Sequence, residues 1–503
     1  MLLSSKTAKS QATQAWEAIA ISEDTMGMAV VASCRGEEVS LYYGLRDYAR
    51  NLPVNENTLF RIASISKLIT SLAVLYLSDQ GILDLHKSLT DYFGLPVVHP
   101  DYPSASITPF LLLSHRSGIQ DGGTYSDFLM DTYSMENPPS ILQLLIPEGS
   151  YYATNNWRHE APGTYFVYSN LNYGLLGSII EMVTDKRFDI FMRDDFLPLL
   201  GIQGGFNVAD IYSIDDLATL YRKPGGTWVA QADNFEGIHP PNRELPDYIP
   251  GDNGLIFAPQ GGLRTSASGV MQLARFLMNN GFVEGQQVIG EEHMSLLLQQ
   301  QWSWDGSNGD TYFDLFFAYG AGSHITTNQP GKDTIVPNYT FIGHPGAAYG
   351  LVSNIYVNLE YDASIIFITN GVGNGFRFDN RSSFFTIEKD VFEVYEHFFF
   401  NSCRESVGIN PDPDIVNNFS YLTAYPNPFN PKIKISWQQK NAKRISISVY
   451  DLHGRIVANL ANNVHNEGDH YVIFDGHTLA SGMYLVRLSS DFSQKVVLVT
   501  LLK

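Results

Sequence analysis

The sequence has few basic residues, no long apolar run and only two cysteines. Its 503 residues include 32 Lys and Arg against 52 Asp and Glu, which gives a formal net charge of −20. Nucleic-acid binding needs basic patches, and docking on an anionic membrane surface needs positive charge. We therefore expect neither kind of partner. Hydrophobic residues still make up 44% of the chain, which is enough for a sizeable folded core.

Three further absences narrow the class of protein, namely those of a membrane span, a signal peptide and a metal-ligand spacing. No stretch approaches the roughly 18 consecutive apolar residues of a membrane-spanning helix, so we expect no membrane span. The first twenty residues are polar and lack the apolar core of a signal peptide, so none is expected in the chain as given. Cys34 and Cys403 have no metal-ligand spacing, and they leave open one disulfide or two buried thiols. We expect no metal and no cofactor.

Turn residues and charge divide the chain into a large and a small part. Residues 404–420 contain two prolines and several Asn and Asp without hydrophobic periodicity, which is typical of a linker. We predict a large domain at 1–403 and a small domain at 421–503. In the small domain, alternating apolar residues predict strands at 433–437 and 445–449, with turns at His453-Gly454 and Ser481-Gly482. This pattern favours an all-β sandwich.

The large domain mixes strand and helix periodicities. Residues 26–45 predict two strands joined at Arg35-Gly36, and residues 349–370 predict a later pair. Residues 65–77 are apolar almost all round, as expected of a buried helix that ends before Gly81. Further helices are predicted at 171–183 and 267–279. We therefore predict an α+β fold, with helices packed on an antiparallel sheet and a helical subdomain.

Ser64 and Lys67 form a Ser-x-x-Lys sequence at the start of the predicted buried helix. Residues three apart share a helix face, so the Lys67 amine can reach the Ser64 hydroxyl. A serine nucleophile needs a nearby base, and burial near a helix N-terminus disfavours the charged form of lysine. About one such tetrapeptide is expected by chance in a chain of this composition. The alternative is therefore a helix that merely begins with these residues.

Two other segments carry groups suited to acyl transfer. Tyr168 lies before the predicted helix 171–183, where a tyrosine acts as a general base if a cation lowers its pKa. Asn170 is placed to hold Lys67 or a substrate amide. In Gly343-His344-Pro345-Gly346-Ala347, His344 is expected to line a cleft and the Ala347 N–H to act as an oxyanion donor. The alternative for this segment is a glycine-rich turn with a satisfied histidine.

In this order, the three segments resemble the penicillin-recognising serine hydrolases. That family includes class C β-lactamases, D-Ala-D-Ala carboxypeptidases and related esterases and amide hydrolases. The resemblance covers roughly residues 26–400 and includes further phrases in the family's order, such as Leu112-Leu113-Ser114-His115-Arg116-Ser117-Gly118, Pro162-Gly163-Thr164 and Gly261-Gly262-Leu263-Arg264. It implies a β-lactamase-like fold and two-step acyl transfer without a metal. The phrase containing His115 and Arg116 is expected to be structural.

The resemblance also implies roles for individual residues. Ser64 corresponds to the acylated nucleophile, Lys67 to its proton partner and Tyr168 to the general base that also activates the deacylating water. Asn170 corresponds to the residue that orients Lys67 and the substrate. The backbone N–H groups of Ser64 and Ala347 correspond to the oxyanion hole, and Gly346 lies beside them in the substrate-binding strand.

The third segment departs from the Lys-Thr-Gly of β-lactamases. His344 replaces the lysine and Pro345 replaces the threonine, so the threonine hydroxyl that helps to bind a substrate carboxylate is missing. The loss of such a charge-assisted hydrogen bond costs about 1.5–3 kcal/mol of binding free energy. We therefore expect a peptidase, esterase or amidase acting on a peptide, ester or other small molecule, with His344 making carboxylate recognition depend on pH. The alternatives are a β-lactamase proper and a penicillin-binding or receptor-like protein without turnover.

Two aromatic or turn-rich regions complete the prediction. Residues 125–157 either border the cleft and select a bulky acyl group or simply pack in the core.

The small domain resembles C-terminal sorting domains of type IX secretion, through Tyr425-Pro426-Asn427-Pro428 and Ala480-Ser481-Gly482-Met483-Tyr484. This resemblance implies a bacterial protein that the secretion machinery releases or attaches at the cell surface. The alternative is an accessory module that binds a polymer or stabilises the enzyme.

Overall fold

The computed structural model describes residues 5–243, 245–405, 419–439, 442–451, 455–490 and 493–503. The chain divides into two compact units, Ala20–Phe392 and a second unit composed of Met1–Ile19 with Glu393–Lys503. The domains at 1–403 and 421–503 stay predictions. Residues 406–418 of the predicted linker 404–420 lie outside the described residues.

The helices of the described chain include the three predicted from hydrophobic periodicity, at 65–77, 171–183 and 267–279. They are α1 (Ser5–Ser22), α2 (Ile65–Asp79), α3 (Leu89–Phe93), α4 (Pro109–Leu113), α5 (Tyr125–Ser134), α6 (Asn170–Thr184), α7 (Phe188–Phe191), α8 (Ala267–Met278), α9 (Glu291–Leu298), α10 (Thr386–Val394) and α11 (Asn401–Glu405). In the part of the chain that the structure describes, no helix has both the length and the apolar character of a membrane span.

The strands of the larger unit are mostly short, and three of the longest form its buried centre. They are β1 (Gly27–Cys34), β2 (Glu37–Asp47), β3 (Leu52–Pro53), β4 (Leu59–Arg61), β5 (Gly204–Gly205), β6 (Leu220–Arg222), β7 (Val229–Ala232), β8 (Arg264–Ser266), β9 (Phe282–Val283), β10 (Gln286–Gln287), β11 (Trp302–Ser303), β12 (Ala318–Tyr319), β13 (His324–Ile325), β14 (Ile342–Ala348), β15 (Leu351–Asn358) and β16 (Ala363–Thr369).

Nine of these strands form one antiparallel sheet, in the order β11-β12-β13-β14-β15-β16-β1-β2-β3. Every residue of β1, β15 and β16 is buried, and α8 packs against these three strands. The predicted hairpin of β1 and β2 is confirmed. Its turn residues, Arg35 and Gly36, have φ angles of 50° and 79°, as a two-residue turn between twisted strands requires. Neither Cys34 nor Cys403 is a free thiol.

Helix α2 is buried over almost its whole length, as its composition predicts. Its polar side chains find partners inside the unit: the hydroxyl of Thr70 donates to Pro259 O at 2.9 Å, and that of Ser71 donates to Lys67 O at 2.8 Å. The hydroxyl of Ser66 accepts from the backbone N–H of Leu263 at 3.1 Å. Because buried hydroxyls without partners are costly, these bonds fix the helix that follows Ser64.

The C-terminal strands form two sheets, as the predicted all-β sandwich requires. Strands β17 (Phe419–Tyr425), β18 (Lys432–Gln439) and β21 (Gly468–Asp475) form one sheet, and β19 (Lys443–Asp451), β20 (Ile456–His465), β22 (Gly482–Ser490) and β23 (Ser493–Leu501) form the other. The alternating apolar residues predicted to face inward share one buried core, namely Ile433, Ile435, Trp437, Ile445, Ile447 and Val449. The predicted turn at His453-Gly454 lies outside the described residues.

Candidate active site

Ser64 lies at the sharp turn from β4 into α2. It is the N-cap residue of α2 and is partly exposed, whereas Ile65 and Lys67 are buried. The preceding Ala63 has a φ of 47°, which is uncommon for a residue with a side chain. Such backbone strain persists where surrounding contacts enforce it. Here the turn leaves Ser64 partly exposed at the start of an otherwise buried helix.

The Lys67 side chain lies wholly inside the protein and reaches back to Ser64. Its Nζ lies 3.2 Å from Ser64 Oγ, 2.7 Å from Asn170 Oδ1 and 2.9 Å from Gln260 O. Burial lowers the pKa of Lys67 to about 7, although the carboxylate of Asp121 opposes this shift. Desolvation disfavours the ammonium form, so a substantial fraction of the amine is neutral near neutral pH.

Asn170 is held by Asp121, a residue that the sequence did not single out. Asn170 Nδ2 donates to Asp121 Oδ2 at 2.8 Å, and the backbone N–H groups of Asn170 and Leu171 donate to the same carboxylate at 3.0 and 2.9 Å. The hydroxyl of Ser169 adds a fourth bond at 2.9 Å. Asp121 therefore caps the N-terminus of α6 and fixes the amide that holds Lys67.

Tyr168 lies against both Lys67 and Ser64. Lys67 Nζ is 4.8 Å from the centre of the Tyr168 ring, and the Tyr168 hydroxyl is hydrogen-bonded to Ser64. Burial raises the pKa of Tyr168 well above its usual value, and the bond with Ser64 opposes this only in part. The expected lowering of the Tyr168 pKa by a cation is therefore wrong, and the phenol is protonated at neutral pH.

His344 is also close to Tyr168, but it does not present a free polar atom to a cleft. The two ring centres are 5.9 Å apart, and the His344 side chain is fully buried. Its Nδ1 bonds to Pro345 O at 2.6 Å and its Nε2 to the Tyr319 hydroxyl at 3.0 Å. Burial, reinforced by the charge of Lys67, lowers the pKa of His344 well below its usual value. The expectation that His344 reads a carboxylate in a pH-dependent way is therefore wrong.

The strand that carries Gly346 and Ala347 runs directly along the turn before Ser64. A Cβ on Gly346 would lie 2.9 Å from Ile62 O and 3.1 Å from Ser64 N, so only glycine allows this approach. Val352, the partner of Ala347, directs its N–H and C=O to Thr369 of β16. In an antiparallel pair, two opposed residues either both direct their N–H and C=O groups toward each other or both direct them away. Because Val352 directs its groups toward β16, Ala347 directs its N–H away from β15.

That edge of β14 is open beside Ser64. Within the described residues, β13 pairs with β14 only at Ile342 and Gly343. The N–H groups of Ser64 and Ala347 therefore border the same edge, and their action as an oxyanion hole stays a prediction. Among the described side chains, no group of three or more His, Cys, Asp or Glu is placed to hold a metal ion.

For three aromatic side chains of the 125–157 segment, the structure shows core packing, which is one of the two predicted alternatives. Tyr125, Phe128 and Trp157 of the 125–157 segment are buried in the core. His115 packs on Tyr168 with ring centres 4.6 Å apart, and its Nδ1 accepts the N–H of Ser169 at 3.1 Å. The exposed aromatic side chain that contacts Tyr168 is that of Tyr312, and the two ring centres are 5.0 Å apart. No local pattern in the sequence distinguished Tyr312 from the other tyrosines.

Comparisons with known proteins identify the families of the two parts of the chain. A family model described as Beta-lactamase matches residues 12–384, and one described as Secretion system C-terminal sorting domain matches residues 423–499. Protein flp of Staphylococcus aureus (strain NCTC 8325 / PS 47) is 28% identical over 194 residues, which cover 38% of this chain and 37% of that protein. A beta-lactamase of Providencia stuartii is 27% identical over 185 residues, 36% of this chain and 42% of that protein. These matches span about two fifths of the curated relatives' length.

Solved structures share the fold of the larger unit. D-amino acid amidase from Ochrobactrum anthropi SV3, complexed with L-phenylalanine, superposes with a TM-score of 0.56 at 19% identity, over 79% of this chain and 99% of that chain. A class C beta-lactamase superposes with a TM-score of 0.55 at 17% identity, over 81% of this chain and 98% of that chain. Since the first family model matches well over half of the sequence, this chain belongs to the beta-lactamase family of serine hydrolases and carries a C-terminal sorting domain.

Proposed function

We propose that this protein is a serine acyl hydrolase that cleaves an ester or amide through an acyl-enzyme on Ser64. The observation that carries the proposal is the contact of Lys67 Nζ with Ser64 Oγ at 3.2 Å, together with a Lys67 pKa of about 7. A serine hydroxyl becomes nucleophilic only beside a group able to take its proton. A base with a pKa near the working pH does this most effectively.

When Lys67 is neutral, two of its three hydrogen bonds are kept, and the third, between Nζ and Ser64 Oγ at 3.2 Å, reverses so that the serine donates. A neutral amine has two N–H donors and one lone pair. Asn170 Oδ1 and Gln260 O, at 2.7 and 2.9 Å, accept the two donors. The lone pair is then left for the proton of Ser64. As Oγ forms its bond to the substrate carbonyl carbon, this proton moves to Nζ, and the carbonyl oxygen takes the negative charge beside the N–H groups of Ser64 and Ala347.

Tyr168 completes the proton path as a donor and relay. Because its pKa is raised, the phenol remains protonated and its hydroxyl can donate to the leaving group, while the ammonium of Lys67 returns a proton to it. Loss of the leaving group gives the acyl-enzyme. In the second step a water attacks the acyl carbon, its proton passes through Tyr168 to Lys67, and Ser64 regains its proton as the acid leaves.

The third segment supports an amidase, peptidase or esterase more than a β-lactamase. Pro345 has no hydroxyl, and His344 is neutral with both nitrogens engaged. The segment therefore offers neither a cation nor a hydroxyl to a substrate carboxylate. The amidase neighbour and a Beta-Lactamase/D-Alanine Carboxypeptidase from Pseudomonas syringae, with a TM-score of 0.54, suggest the substrates to try first.

The test is a substrate panel with a matched serine variant. Short p-nitrophenyl esters, amino acid amides, D-Ala-D-Ala peptides and β-lactams are offered to wild type, Ser64→Ala and Ser78→Ala. Ser78 is a suitable control because it is also partly exposed on α2 but bonds to His293 at 3.1 Å. Hydrolysis and fluorophosphonate labelling should disappear only in Ser64→Ala. Preference for β-lactams would identify a β-lactamase, a stable adduct without turnover would identify a receptor, and no adduct would contradict the proposal.

We also propose that the sorting domain directs export of the enzyme through type IX secretion. The support is the match of residues 423–499 to the sorting-domain family. Full-length protein and a variant ending at Ser420, each behind the same signal peptide, are produced in a bacterium that has this pathway. We expect the full-length enzyme at the cell surface or in the medium and the shortened one inside the cell. If both are exported, and only the full-length protein binds an insoluble polymer, the domain is a binding module instead.

A further inference from the structure

Residues 312–314 adopt a backbone conformation that side chains disfavour. Tyr312, Phe313 and Asp314 have φ angles of 50°, 61° and 63°. Left-handed conformations are usually confined to glycine and to single asparagine or aspartate residues, because Cβ crowds the backbone. Three in succession, two of them aromatic, form a strained left-handed turn. Strain of this kind persists where neighbouring contacts enforce it, and it is concentrated at functional sites.

A set of hydrogen bonds holds this turn in place. The N–H of Tyr312 donates to Asp310 Oδ1 at 2.8 Å, and the N–H of Asp314 donates to Thr311 Oγ1 at 3.2 Å. The N–H groups of Leu315 and Phe316 both donate to Thr311 O, at 2.9 and 2.8 Å. The Asp314 carboxylate also pairs with the ammonium of Lys332. These bonds therefore fix the conformation of the turn.

The turn is anchored beside the nucleophile. The N–H of Asp310 donates to Phe166 O at 2.9 Å, which ties the turn to the segment that carries Tyr168. The Tyr312 ring lies 5.0 Å from the Tyr168 ring and stacks on Phe316 at 5.5 Å with an interplanar angle of 16°. Tyr168 is itself hydrogen-bonded to Ser64. One side chain thus separates the Tyr312 ring from the reacting hydroxyl.

The two rings of the turn face solvent. Tyr312 is 42% exposed and Phe313 is 82% exposed, and their ring centres are 5.4 Å apart at 67°. A turn that serves only to reverse the chain would place glycine or asparagine at positive φ and would not expose phenylalanine. Apolar surface left open next to a reactive group is typical of a ligand-binding surface.

We propose that Tyr312 and Phe313 form a subsite that selects substrates with an aromatic acyl group. The proposal rests on the acyl-hydrolase function proposed above, and names its substrate class. An aromatic ring placed there makes stacked or edge-to-face contacts with both side chains. Burial raises the pKa of Tyr312, and the carboxylates of Asp121 and Asp310 raise it further, so the phenol stays protonated and the ring is uncharged.

The experiment compares two esters with one leaving group. The kcat/KM of p-nitrophenyl phenylacetate is divided by that of p-nitrophenyl acetate for wild type, Tyr312→Ala and Phe313→Gly. Stacking contacts are worth about three- to tenfold in rate, so each variant should lower this ratio by about that factor. Tyr212→Ala and Phe378→Ala are matched controls, because these side chains are 101% and 57% exposed and the subsite does not include them. Their ratios should equal that of wild type.

Phe313→Gly separates a specificity role from a structural one. Glycine adopts positive φ without steric cost, so this variant should keep or raise the Tm while its aromatic preference falls. An unchanged ratio in both variants overturns the inference, as does an equal loss of activity on both esters. Wild-type hydrolysis without aromatic preference also contradicts it and leaves the acyl-hydrolase function intact. Absence of both turnover and Ser64 labelling contradicts the function itself.

Discussion

The buried amine of Lys67 should make both activity and stability depend on pH in a predictable direction. Its pKa falls from 10.5 to about 7 on folding, which corresponds to about 5 kcal/mol of differential stability between its two protonation states. Below pH 7 the folded and unfolded states both bind the proton, and the folded state carries the whole cost of a buried ammonium. Between about pH 7 and 10.5 only the unfolded state binds it, so the free energy of unfolding rises with pH.

Replacing Lys67 with methionine isolates this effect. The variant keeps a similar volume but has no titrating amine, and it leaves Asn170 Oδ1 and Gln260 O without their donor. That loss costs about 1–3 kcal/mol for each acceptor, but its size does not depend on pH. The difference in unfolding free energy between wild type and Lys67→Met should therefore shift in favour of wild type by about 2 kcal/mol from pH 7 to pH 9.

Urea unfolding at pH 7, 8 and 9 measures this difference. The companion measurement is the pH profile of kcat/KM for an ester, which should rise tenfold per unit below pH 7 and level off above it, because only the neutral amine accepts the Ser64 proton. Lys67→Met should lose activity by a factor of about a hundred or more across the range. A stability difference that is flat or falls with pH, or a rate profile with no inflection between pH 6 and 8, would refute the assignment of Lys67 as a neutral base.

Three further outcomes follow from the geometry. Asp121→Asn should lower kcat by about ten- to a hundredfold, because the carboxylate that fixes Asn170 is removed. The same carboxylate raises the Lys67 pKa, so its loss should move the inflection of the rate profile to lower pH. Kinetics across pH 5–9 check this, and an unmoved inflection contradicts it. Gly346→Ala should abolish most activity because the new Cβ would lie 2.5 Å from Ser353 Oγ, whereas Gly205→Ala, with its nearest atom at 3.7 Å, serves as the control in the same ester assay. His344 should remain neutral, so the ratio of KM for an anionic and a neutral ester should be constant from pH 5.5 to 7.5; a step near pH 6.5 would show that the histidine titrates after all.

The features that could be predicted from the sequence are those with local signals. Continuous apolar composition predicted the buried helix α2, and the Arg35-Gly36 pair predicted the β1–β2 hairpin. The three-residue spacing of Ser64 and Lys67 predicted their contact, which depends only on helix geometry. Strand alternation predicted the inward-facing residues of the C-terminal sheets in the same way.

The features that could not be predicted depend on residues distant in the chain. Asp121 carries no motif of its own, and its role depends on the docking of a loop 49 residues away from Asn170. His344 was expected to be accessible because the sequence does not show that Tyr319 occupies its Nε2. The strain of the Tyr312 turn likewise comes from bonds to Thr311 and Asp310, which residue preferences alone do not reveal.

The carboxylate of Asp121 also ties the assembly of the proposed catalytic centre to the integrity of helix α6. It accepts hydrogen bonds from the backbone N–H groups of both Asn170 and Leu171. If the loop that carries Asp121 moves away, the first turn of α6 and the Asn170 side chain that holds Lys67 therefore lose their support at the same time. The deuterium uptake of those two amide hydrogens therefore reports whether the proposed catalytic centre is assembled. A covalent ligand on Ser64 that tightens the cavity should slow both in parallel, which gives a readout of occupancy that requires no turnover.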